Sequence, residues 1–69
     1  MQPHQQRVVE EKKELDEKRA KLLTFLASDT FRDLDEQEKI RLHRQLGVMG
    51  DYSMTLGERI RAFQFQEIA

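Results

Sequence analysis

Residues 40–63 carry three adjacent stripes at alternating spacings of three and four, and one antiparallel neighbour cannot cover all three. The first is Leu42, Leu46, Met49, Ser53, Leu56, Ile60 and Phe63. Ile40, His43, Gly47, Gly50, Met54 and Gly57 flank it on one side. Arg41, Gln45, Val48, Tyr52, Thr55 and Arg59 flank it on the other. Over residues 40–60 only Arg44, Asp51 and Glu58 remain for a plainly solvated face. A helix with so little solvent-facing surface is expected to be surrounded, which points to self-association.

Size sharpens that expectation. Sixty-nine residues make at most one domain, read as a single unit over 1–69. Charged residues are 36% of the chain and hydrophobic ones 38%, which suits thin apolar seams and not a thick core. Cores at this size rarely supply more than about 3–5 kcal/mol without a staple. The chain has no cysteine, so a disulfide cannot serve. Its two histidines, His4 and His43, are far apart and lack cysteine partners, so no metal site is expected. Oligomerisation is the staple that remains.

The first helix is expected at about 3–27. Pro3 suits a first turn, where its missing N–H would be unpaired anyway. Val8, Leu15 and Leu22 recur every seven residues, and Phe25 and Leu26 extend the stripe. The charge run from Glu10 to Lys21 reads as a solvated face braced by pairs such as Glu14–Lys18. The connection ASDTFRDLD contains turn formers and a capping-box spacing, Asp35 to Glu38, with Phe31 and Leu34 as an apolar plug. The second helix is expected at about 36–65.

Together these predict an all-α fold, an antiparallel two-helix hairpin assembling into a helical homo-oligomer. Setting residue 26 beside residue 36 makes facing numbers sum to about 62, which pairs Leu22 with Ile40 and Leu42, Leu15 with Leu46 and Met49, and Val8 with Leu56. Each of the three glycines costs about 1 kcal/mol relative to alanine inside a helix. The alternative is a break near Gly47–Gly50, but the stripe from Leu42 to Phe63 continues in phase. A groove packed by another subunit accounts for glycines sharing one side. Gly47, Gly50, Met54, Gly57, Phe63 and Phe65 are therefore the expected oligomer interface. Ala62–Gln66 alternates apolar and polar residues, so a short strand competes there with a helix end whose Phe65 and Ile68 seek a neighbouring subunit.

Function is read from the other flank. Arg41 and Arg59 offer planar forks for phosphate oxygens. Tyr52 can stack on a base, and Thr55 and Gln45 can read polar edges. Lys12 and Arg19 would add charge if they lay on the same side. The competing readings are a subunit interface, where arginine and tyrosine are enriched, and snorkelling at the edge of a core. His43, beside an apolar stripe, reads as structural. No residues show nucleophile–base–orienter logic, so catalytic residues, an enzyme and a cofactor are not expected. Twelve basic and thirteen acidic residues lack the basic footprint of a nucleic-acid polymer binder. No apolar run is long enough for a membrane span or a signal peptide, and the lack of cysteine fits a cytoplasmic protein.

The segments PHQQRVVEEKKELDEK and RLHRQLGVMGDYSMTLGERIRAF, with their blocks HQQRVV, ELDEK, DYS and LGERI, resemble small phage and prophage proteins labelled as related to a crAss-like phage protein. That resemblance covers nearly the whole chain and implies a phage accessory gene. A looser likeness, in architecture alone, is to the phage anti-CBASS and anti-Thoeris sponges, helical hairpins that hold cyclic nucleotide signals between subunits. It implies a non-enzymatic anti-defence protein that sequesters a cyclic nucleotide in a homo-oligomer. The alternatives are an inhibitor or adaptor that binds a host defence protein through an exposed helical seam, and a structural coiled-coil module.

Overall fold

A computed structural model describes residues 1–68 and the side chains of residues 1–65. Helix α1 spans Pro3–Leu26, α2 is a single turn at Asp29–Arg32, and α3 spans Glu36–Ile68. No strand occurs among the described residues, so the fold is all-helical. Residues 62–66 lie in α3 and form no strand. α3 also passes through Gly47 and Gly50 without a break, as the unbroken phase of its stripe requires. Residue 69 and the side chain of Ile68 lie outside the described residues.

α1 and α3 lie side by side and run in opposite directions. His4 meets Phe63, Lys12 meets Ser53 and Gly57, Asp16 meets Ser53, and Arg19 meets Gly50, so contacting numbers sum to 65–69. The molecule is a rod of 52 × 15 × 14 Å. Its Cα radius of gyration is 15.8 Å. A compact chain of this length would have about 11 Å.

The register differs from the expected sum of about 62. Among the buried and half-buried residues, one row of α1 is Gln5, Val8, Lys12, Leu15, Arg19, Leu22 and Leu26, and one row of α3 is Leu42, Leu46, Met49, Ser53, Leu56, Ile60 and Phe63. These two rows pair in reverse order at a sum of 68. Leu22 therefore lies level with Leu46 and not with Ile40, which is 49% exposed. The physical reason is that the first six residues of α3, Glu36 to Arg41, put no apolar side chain on the seam: Glu38 and Lys39 are the half-buried ones and Ile40 is exposed. Aligning the two apolar rows, instead of the two helix ends, slides α3 almost two turns past the end of α1.

The loop is built to fill that overhang. Ser28 caps α2 by accepting from Phe31 N at 3.2 Å, and its hydroxyl donates to Phe25 O at 2.6 Å. This presents Phe31 edge-on to Phe25, with ring centroids 6.2 Å apart, and to His43 at 5.6 Å. Lys39 Nζ stands 5.9 Å from the same ring. Phe31 thus plugs the open end of the helix pair as expected, and His43 serves as its packing partner. The capping box at α3 is only half formed. Asp35 Oδ2 accepts from Gln37 N at 2.9 Å, but Glu38 turns away and accepts from Arg41 Nε at 2.8 Å. The ion pair displaces the return contact.

Very little is fully buried. Leu56 is 0% exposed and Val8 7%, and the only other buried residue among those described is Gln5, whose Oε1 accepts from Gln2 N at 2.8 Å. Ile40, Val48, Tyr52, Met54 and Phe65 are large side chains left exposed on α3.

Candidate functional site

The two flanks of α3 differ in what α1 does to them. On the glycine flank α1 lays long cationic side chains across the helix. A Cβ on Gly50 would stand 3.4 Å from Arg19 Nε and Nη2, and one on Gly57 would stand 3.3 Å from Lys12 Cε. Nothing lies within 4 Å of the corresponding point on Gly47. Gly50 and Gly57 thus admit side chains of their own chain, whereas Gly47 faces open space. Of the other residues expected at an oligomer interface, Phe63 packs on His4 at 6.4 Å, while Met54 and Phe65 are exposed.

A polar network ties the helices together on this side. Lys12 Nζ donates to Asp16 Oδ2 at 2.7 Å and to Ser53 Oγ at 3.1 Å, and Ser53 Oγ donates to Asp16 Oδ1. These bonds from Lys12 and Ser53 hold the Asp16 carboxyl below its ordinary value of 3.8, with desolvation opposing them. Arg19 Nε is buried without a hydrogen-bond partner. Sequence reasoning missed this network, although Lys12 and Arg19 fall seven apart in phase with Gln5 and Leu26, a spacing that places them on the seam. They accordingly lie on the glycine flank, away from Tyr52 and Arg59.

The opposite flank is where the candidate ligand residues lie. Arg41, Gln45, Tyr52, Thr55 and Arg59 are all exposed on one continuous side of α3. Two of them are already engaged: Arg41 with Glu38, and Thr55, whose hydroxyl donates to Asp51 O at 3.0 Å. Tyr52, Arg59 and Gln45 have no hydrogen bond or ion pair with the described residues. Tyr52 and Arg59 are seven residues apart, two turns, so they share one face about 10 Å apart. Arg41 is eighteen residues from Arg59, about 27 Å along the helix. A small ligand cannot meet both from one chain.

An open groove of about 490 Å³ runs along α1, walled by Val9, Lys13, Glu17, Ala20 and Ile60 together with Lys12 and Asp16 of the polar network. No group of three or more potential ligands that could hold a metal ion occurs among the described residues. No described helix is long and apolar enough to cross a membrane.

Comparison with protein families gives a match over most of this framework. The family described as Sequestin matches residues 2–62, which takes in α1, α2 and α3 as far as Ala62. The chain belongs to that family. No curated protein and no solved structure matches it.

Proposed function

From membership of a family named for sequestration, we propose that this chain is a non-enzymatic sequestering protein. Its cargo is a cyclic nucleotide immune signal, held at subunit boundaries of a homo-oligomer. The chain then acts as a phage accessory protein in the host cytoplasm, countering host defence by removing a signal without cleaving it. The observation that carries this reading is the Tyr52–Arg59 pair: a ring for stacking and a guanidinium for phosphate, exposed on one helix face and unpartnered among the described residues.

The geometry asks for more than one chain. Ligand pockets are concave and bury most of the ligand. The flank of α3 is convex, so a second α3 must supply the far wall. Such an arrangement also allows Arg41 of one subunit to approach Arg59 of another, which one chain forbids. Gln45 lies between the two arginines along the helix and is free to read a base edge.

The test is capture and release. The protein is incubated with cyclic di- and trinucleotides, separated from free ligand, and heated. Recovery of intact nucleotide, lost in Tyr52→Ala and Arg59→Ala while the ligand-free melting temperature stays the same, is the expected result. Cleaved product would sink the non-enzymatic reading, and no binding to any signal would sink the nucleotide.

A second reading rests on Ile40 and Met54, apolar side chains left exposed on the glycine side of α3. Such a seam suits a helix or groove of a host defence protein. It predicts a stoichiometric protein complex and no nucleotide binding.

A further inference from the structure

The groove along α1 has a feature that neither the ligand face nor the seam explains: its residues read the same in both directions with charge reversed. In chain order the residues that α1 gives it are Val9, Lys12, Lys13, Asp16, Glu17 and Ala20: apolar, base, base, acid, acid, apolar. The mirror point falls between residues 14 and 15. A second α1 laid antiparallel about that point meets the first at numbers that sum to 29. Val9 then faces Ala20 of the other copy, and Lys13 faces its Asp16. A two-fold axis repeats each contact, as an isologous interface requires.

We propose that this groove is a self-docking surface, in which α1 of one chain packs antiparallel on α1 of a second copy of the same chain. Three observations favour a second copy over another partner. The first is charge: Lys13 of each chain meets Asp16 of the other, so the patch is complementary to itself. The second is that Lys13 and Glu17 have no ion pair within the described residues, although they stand four apart on one helix. The third is area. The chain exposes 5402 Å². A compact monomer of its mass exposes about 4500 Å². The excess of about 900 Å² is close to the roughly 800 Å² that each partner gives to a standard interface.

The stripe extends in both directions in the same register. Leu23, 46% exposed, continues the line of Lys13, Asp16 and Ala20, and faces Gln6 of the other copy at the same sum. Ile60 of α3 forms the groove's far wall, so the incoming helix would contact both helices. Asp16 keeps its bonds to Lys12 and Ser53 and accepts Lys13 of the second copy on its exposed side. This interface lies on the glycine flank of α3, away from Tyr52 and Arg59, and stands whether or not that face takes a nucleotide.

The chain has no cysteine, which makes the test clean. Two single variants, Val9→Cys and Ala20→Cys, are mixed and mildly oxidised. The proposal expects a cross-linked dimer in the mixture and little in either variant alone. Like positions lie eleven residues out of register, about 16 Å apart, beyond disulfide reach. Lys13→Glu places an acid against Asp16 twice per dimer and is expected to weaken self-association about tenfold by sedimentation, with helicity unchanged. A wild-type chain that stays monomeric at high micromolar concentration overturns the proposal. So does self-association that Lys13→Glu leaves intact, or cross-linking confined to like variants.

Discussion

The guanidinium of Arg19 covers Gly50: its Nε and Nη2 stand 3.4 Å from where a Cβ on that glycine would be. An arginine at a seam position needs somewhere to put its head, and the missing side chain supplies the space. The cost is a helix-weakening glycine and a buried Nε with no partner. Gly57 performs the same service for Lys12.

Gly47 differs, because nothing in the chain approaches it. Gly47→Ala should therefore raise stability by about 1 kcal/mol, the helix-propensity difference, in urea or thermal unfolding. If a second subunit packs on that glycine, the same substitution lowers assembly instead. Gly50→Leu should expel the Arg19 head and shift the distribution of oligomers in light scattering, whereas unchanged mass would reject a subunit groove at that glycine.

The Asp16 network makes a prediction about acid. The folded carboxyl is lowered from 3.8, so it contributes stability that is fully present above the unfolded value of about 3.9 and is lost as pH falls through the lower folded value. Stability should fall below about pH 4 partly through this group. Asp16→Asn and Ser53→Ala should each flatten that part of the curve when melting temperature is followed from pH 6 to pH 2. The side chain of Asp16 is 45% exposed, so screening keeps the effect modest and high salt should shrink it further.

Phe31→Ala removes two edge-on ring contacts, to Phe25 and to His43, from a half-buried side chain. A loss of about 1–2 kcal/mol is expected, with protection from amide exchange falling first in α2 and the start of α3. Uniform loss across both long helices would instead mean that the plug and the seam form one cooperative unit.

Among the described residues Leu56 is the side chain with 0% exposure. Leucine-to-alanine at such a site costs about 2–5 kcal/mol. That rivals the whole stability expected of a core this small, about 3–5 kcal/mol. Leu56→Ala should be largely unfolded as a dilute chain by circular dichroism, and recovery of helix at high concentration would show assembly supplying the missing energy. Leu46→Ala, in a half-buried position, should cost less.

Much of the candidate site was legible early, because helical faces follow from periodicity alone. Tyr52, Thr55 and Arg59 share a side wherever the rest of the chain goes. Their partners were not legible. Whether Arg41 is free or held by Glu38, and whether Lys12 reaches the ligand face or crosses to Gly57, depends on where rotamers land in three dimensions. Periodicity says which way a side chain leaves the helix and not what it finds there.

The same division holds for the fold. Pattern and propensity determined two long helices, their limits to within a few residues, and the row on α3 that faces α1. Only the tertiary structure decided how far one helix slides along the other. A slip of seven residues returns every seam position to the seam, so sums near 61 and 68 are equally consistent with the stripes. The choice between them is made at the ends, where Phe31 must reach both Phe25 and His43 and where Phe63 must find His4.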